Sequence, residues 1–115
     1  MSNDAAVAKG LLEIEDEMRR MLDGRSLPYD AAWNIWGKAM SLVSPSPDVM
    51  HPLWLIWGSL TEWVENRPEE RPQAESKMRQ AAKEWLDLDL DDAIATKCYC
   101  DRWVYDEMGY TREAI

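Results

Sequence analysis

Phenylalanine is absent from this chain of 115 residues, histidine occurs once and cysteine twice. Each scarcity removes a class of chemistry. His51, Cys98 and Cys100 are the only soft metal ligands. A structural zinc site takes four ligands, typically in close pairs, so C-x-C on a helix with one distant histidine is a poor match. Nucleophilic catalysis needs a nucleophile held by a base. Cysteine with His51 is the one conventional pair available, and nothing in the sequence brings the two together. Cys98 and Cys100 point in different directions on a helix, which argues against a mutual disulfide, and the chain reads as reduced and cytoplasmic. His51 itself reads as a polar loop residue beside Pro52. There is no glycine-rich phosphate loop and no dinucleotide fingerprint. The basic start and apolar run of a signal peptide are missing. The longest uncharged stretch falls short of the ~20 residues of a membrane span. Alternating β-branched residues are also missing, so no strand is expected.

What is present in excess is tryptophan, seven residues, and negative charge, a net of −9. With 46% apolar residues the chain is not a disordered one. Its length sets a single domain over residues 1–115. Indole supplies the aromatic bulk that phenylalanine does not, and each buried indole N–H needs an acceptor.

The stretch from Pro52 to Val64 contains three tryptophans. Leu53, Trp57, Leu60 and Val64 recur at helical steps and share one face. Trp54, Ile56 and Trp63 make the segment apolar around most of its circumference, as suits a central helix. Pro52 fits its first turn, so the expected span is about residues 52–65. Upstream, Trp33-Asn34-Ile35-Trp36-Gly37 repeats the pattern W-x-I-W-G of Trp54 to Gly58. A glycine inside a helix costs about 1 kcal/mol against alanine. Close helix approach, with a tryptophan of one helix over the glycine of the other, would account for it.

Four further helices are expected. The first runs over about residues 4–23, capped by Asn3 or Asp4 and ended by Gly24. Val7, Leu11, Ile14, Met18 and Met21 form its inward seam, while Glu13, Glu15, Asp16, Glu17, Arg19 and Arg20 form a solvated face. The second spans about residues 29–43, with Trp33, Trp36, Met40 and Val43 inward. Pro45 and Pro47 make a loop that extends through His51. A polar link over residues 66–72 precedes a helix over about 72–86 that buries Ala74, Met78, Ala81, Trp85 and Leu86. The fifth begins near Asp91 and ends before Gly109, and residues 110–115 read as a loose tail. The fold class is therefore all-α, a compact single-domain bundle of about five helices.

Asp87, Asp89 and Asp91 have the D-x-D-x-D spacing of a calcium loop. The sixth and twelfth positions should be glycine and glutamate. They are Asp92 and Cys98, so an EF-hand is excluded. The aspartates are better read as caps for the fifth helix, with Leu88 and Leu90 turned inward. No metal, cofactor or catalytic residue is assigned. On a helical projection of the fifth helix, Ile94, Cys98, Tyr105 and Met108 fall on one face with Asp101, which should be inward and paired. Asp92, Tyr99, Trp103, Asp106 and Glu107 fall on the other. Tyr99 and Trp103, four apart, would touch. An aromatic pair ringed by carboxylates has the composition of a surface for a basic partner. Residues 87–107 carry seven acids against Lys97 and Arg102, a local net of −5. The candidate partner-binding set is thus Asp87, Asp89, Asp91, Asp92, Tyr99, Trp103, Asp106 and Glu107. The competing reading is that another segment covers Trp103.

Strong acidity argues against nucleic acid or an anionic membrane as ligand and permits a basic protein. In size, acidity and lack of a catalytic motif the whole chain resembles the small immunity proteins of bacterial toxin systems. That resemblance implies a non-catalytic inhibitor that neutralises a toxin domain, often a basic nuclease, by covering its active site or a nearby surface. Two other readings stand beside it. One is a regulatory or adaptor module, phage-encoded or homodimeric through its tryptophans. The other is a small hydrolase that uses clustered carboxylates with a metal.

Overall fold

The computed structural model describes residues 3–111. Its order is α1 (Asn3–Leu22), α2 (Pro28–Leu42), α3 (Pro47–Asn66), a 3-10 turn (Pro68–Glu70), α4 (Arg71–Leu86) and α5 (Ala93–Asp101). α5 continues without a break into a π-helical segment (Arg102–Glu107). No strand occurs among the described residues, and the fold is an all-α bundle, as expected. Local chemistry sets the boundaries. Prolines open α2 and α3, where a missing N–H is harmless. Gly24 adopts φ +78° just past α1, the left-handed conformation that closes a helix. Asp92 caps α5 by accepting the Ala95 N–H at 3.0 Å.

α2 lies between α1 and α3, α4 closes against all three, and α5 with its π-helical extension packs on α3. One contiguous core results. It includes Ile14, Met18 and Met21 of α1, Leu53, Trp57, Leu60 and Val64 of α3, and Ala74, Met78, Ala81 and Trp85 of α4. Those stripes match the expected ones. Leu86 packs partly buried against the same core.

Three expectations need correction. First, α3 starts at Pro47, so His51 and Pro52 are helical and the preceding loop is short. Pro47 takes the opening position, and Pro52 sits in the second turn. The backbone bond it forgoes belongs to the carbonyl of Asp48, an exposed residue that water can serve. Second, the buried stripe of α2 is Ala31, Ala32, Ile35 and Ala39. Trp33 and Met40 remain 48% and 47% exposed, and Trp36 and Val43 are half-buried. Alanines let α2 approach two helices at once, which indoles on that face would prevent. Third, the acidic face of α1 is not simply solvated. Lys38 donates to Glu13, the Trp85 indole donates to Glu15 at 2.9 Å, and Asn34 donates to Glu17 at 3.3 Å.

The two echoing glycines part company. A Cβ on Gly58 would lie 3.1 Å from the Trp36 ring, so a tryptophan of α2 does cover a glycine of α3. Gly37 has nothing within 4 Å of its missing Cβ. The close approach of α1 to α2 occurs instead at Gly10, where a Cβ would overlap Leu42 Cδ1. Gly37→Ala should therefore stabilise the fold by about 1 kcal/mol through helix propensity alone. Gly10→Ala should gain less or lose stability, because Leu42 must move. Chemical denaturation of the two variants checks the ordering, and a loss of stability in Gly37→Ala would contradict it.

Candidate functional site

The set of residues expected to bind a partner divides on inspection. Tyr99 and Trp103 do lie against each other, with ring centroids 6.1 Å apart, but both are buried. The Tyr99 hydroxyl donates to the Ala81 carbonyl at 2.7 Å, and its ring meets Trp85 edge-on. Trp103 donates its indole N–H to Glu84 at 3.0 Å. The fifth helix thus turns inward the face expected outward. Ile94 is 78% exposed and Cys98 is exposed, while Cys100 and Val104 join Tyr99 and Trp103 in the core. The reason is bulk: burying two aromatic rings removes more apolar surface from water than burying one isoleucine and one cysteine.

Beyond Asp101 the helix geometry changes as well. A projection at 100° per residue assumes α turns, whereas residues 102–107 form wider π turns, marked by the Met108 N–H bonding the Trp103 carbonyl at 2.9 Å. Adjacent Trp103 and Val104 are both buried there, and Tyr105 and Met108 keep part of their expected contact with the core. Asp101 is not at the centre of a buried face. It accepts from Lys97 at 2.8 Å near the surface.

The carboxylates of the set serve mostly as local structure. Asp87 pairs with Lys83 at 3.1 Å, Asp89 accepts the Asp91 N–H at 3.0 Å and Asp92 is the α5 cap. Asp91 and Asp106 are exposed. Leu88 is partly buried as expected, but Leu90 is largely exposed. Glu107 accepts from Lys77 at 2.6 Å and lies 3.7 Å from Arg102. Arg102 also pairs with Glu84, and both cations lie over the Trp103 ring. These four charges seal Trp103, so neither ring of the Tyr99–Trp103 pair is exposed to the acidic rim. Burial alone would raise the Glu84 carboxyl, but hydrogen bonds from Gln80, Trp103 and Arg102 hold it below its usual value. Burial pushes the Cys100 thiol up to about 11, away from the thiolate that a nucleophile requires. Among the described residues no group of three or more metal-ligating side chains is gathered, and no helix is long and apolar enough to cross a membrane.

An exposed aromatic ring lies elsewhere, on α2. Trp33 meets the half-buried Trp36 in a tilted contact, with centroids 4.9 Å apart at 35°. Trp36 is braced over Gly58, and Met40 extends the exposed strip by one more turn. Gly37 lies open between them in sequence. Charges of both signs flank the strip: Asp30 one turn before Trp33, Glu17 and Lys38 at the α1–α2 groove, and at Tyr29 both Glu65, which accepts from its hydroxyl at 2.7 Å, and Arg71 over its ring. The i, i+3, i+4, i+7 spacing of Trp33, Trp36, Gly37 and Met40 is legible in the sequence, but large apolar side chains at that spacing point to the core rather than the surface. The alanine stripe on the opposite side was the available counter-signal.

No protein-family model matches this chain, and neither a curated protein nor a solved structure does.

Two outcomes follow for the fifth helix. Trp103→Ala should cost about 3–5 kcal/mol of stability, as for a buried tryptophan, with cooperative melting shifted or lost. A stability change below about 0.5 kcal/mol, the range of surface substitutions, would contradict its burial. Glu84 has a depressed folded-state pKa, so its stabilising contribution is present above the ordinary value of 4.5 and is lost as pH falls through the folded-state value. The stability gap between the native chain and Glu84→Gln should therefore be full at neutral pH and narrow below pH 4.5. A gap that widens on acidification would contradict the sign.

Proposed function

We propose that this chain is a non-catalytic protein-binding module that recognises a basic protein through the exposed face of α2. The observation that carries the reading is the exposure of Trp33 and Met40 on α2, with Trp33 held in tilted contact with the half-buried Trp36. Tryptophan is the residue type most enriched at the energetic centres of interfaces. Trp33 is held by Trp36, and Trp36 by its seat on Gly58, so little side-chain entropy remains to be lost on binding. The surrounding charge decides the partner's sign. A net of −9, with Glu17 beside Trp33 and Asp30 one turn before it, favours a basic surface and disfavours polyanions.

Within that class the reading favoured is an inhibitor of the immunity type, which covers the active site or a nearby surface of a basic toxin domain such as a nuclease. The support is the combination of a rigid aromatic anchor, a strongly acidic chain and the absence of a catalytic grouping in the sequence. The carboxylates of residues 87–92 then contribute long-range attraction rather than contact.

The test is affinity capture from the source cell's lysate at low and high salt, with the native chain and Trp33→Ala side by side. The native chain should retain one basic protein, released as salt rises. Trp33→Ala should keep native stability within about 0.5 kcal/mol and weaken binding by about 2 kcal/mol, chiefly through faster dissociation. Equal capture by both chains would overturn the assignment of the face. Self-association of the native chain through Trp33, with no partner retained, would favour a homodimeric module instead.

A further inference from the structure

Beside Trp33 is a notch of about 410 Å³ lined by Glu17, Trp33, Asn34, Gly37 and Lys38. The fold gives no packing reason for its glycine. Gly10 and Gly58 each admit a neighbouring side chain, whereas the space over Gly37 is empty. A mid-helix glycine that no contact requires still costs stability against alanine, and what it leaves is an opening in the surface. One wall of that opening is the Trp33 indole. Glu17 adds a carboxylate on a residue only 9% exposed. The partners of that carboxylate are weak: Asn34 Nδ2 at 3.3 Å and Arg20 at 3.8 Å, both to Oε2. Oε1 accepts no hydrogen bond among the described residues. The neighbouring cations are committed to other acids, Lys38 to Glu13 and Arg20 to Asp16 at 2.7 Å. A carboxylate on a mostly buried residue, with its Oε1 unpartnered and open to solvent, beside an aromatic face and over an open backbone, has room to accept one more donor.

We propose that this notch receives an arginine side chain of the partner, an inference that rests on reading the α2 face as the docking surface. A guanidinium suits it better than an ammonium. It is planar and weakly hydrated, stacks on an indole, and presents several N–H groups to a carboxylate at once. The arginine lies along Trp33, donates to Glu17 Oε1, and receives the carbonyl oxygen of the Asn34 amide as a further acceptor. Reduced exposure of Glu17 strengthens this charge-assisted pair relative to one in open water. The basic partner is thereby specified more narrowly, as one that presents arginine beside an apolar patch that covers Trp33 and Met40.

The probe is N-acetyl-arginine amide, with N-acetyl-citrulline amide as its uncharged isostere, titrated into the isotope-labelled full chain and followed by nuclear magnetic resonance. The arginine amide should shift the Trp33 indole N–H and the Gly37 amide in a saturable manner, and the citrulline amide should not. Glu17→Gln should weaken the response roughly tenfold, the value of one charge-assisted hydrogen bond. Gly37→Leu, which fills the notch with a good helix former and keeps the fold, should abolish it. Three results would overturn the proposal: no saturable shift at Trp33 or Gly37, an equal response to citrulline, or shifts centred on residues 87–92. If the amide fails while a basic protein is still captured through Trp33, the notch assignment falls and the docking face stands. If the amide binds at the notch while no basic protein is captured, the notch stands and the docking reading falls.

Discussion

The fold depends on hydrogen bonds between indole N–H groups and glutamates. Because the aromatic bulk of this protein is tryptophan rather than phenylalanine, most of its large buried rings bring a donor into the core. Trp85 on α4 reaches Glu15 on α1, Trp103 in the π-helical segment reaches Glu84 on α4, and Trp63 on α3 reaches Glu70 in the 3-10 turn at 2.8 Å. The first two form a chain of couplings from the first helix through the fourth to the last. Each links elements remote in sequence, and each would leave a buried donor unsatisfied, a cost of about 1–3 kcal/mol, if its glutamate were removed. Part of the acidity is therefore structural. Trp57 is the exception, fully buried with no acceptor among the described residues, and its neighbours' packing must outweigh that cost.

This arrangement also accounts for which tryptophans are left outside. A core that already holds Trp57, Trp85 and Trp103 needs small residues where helices come close, and α2 supplies Ala31, Ala32 and Ala39. Trp33 and Trp36 are then displaced to the rim of α2, where Gly58 gives Trp36 a seat and Trp36 supports Trp33. The exposure of Trp33 beside a half-buried Trp36 thus follows from close helix packing.

The elements with a narrow apolar seam were legible in the sequence. α1, α4 and the buried face of α3 follow the 3.6-residue period, and their seams point where the period places them. α2 and α5 were not legible because each offers two competing faces. In α2 an alanine stripe opposes a tryptophan–methionine stripe, and tertiary closeness selects the smaller side chains. In α5 the sequence pattern cannot reveal the π turns that change the projection after Asp101. The aromatic faces follow suit: Tyr99 and Trp103 are buried, with α4 covering Trp103 as the competing reading of the sequence had it, while on α2 Trp33 is exposed and Trp36 keeps part of its expected contact with the core. The acidic groups were legible as charges, but not as acceptors for Lys38, Trp85 and Asn34, since those contacts join residues far apart in the chain.

Tyr99 and Trp103 of the last helical segment belong to the core, and α2 is the surface proposed to bind. Amide hydrogen exchange of the chain, alone and bound to its captured basic partner, separates the two faces. New protection is expected over residues 33–41 of α2 and the facing part of α1, with residues 99–107 already protected in the free chain and unchanged on binding. Strong exchange of residues 99–107 in the free chain, with protection gained there and none on α2, would contradict both assignments.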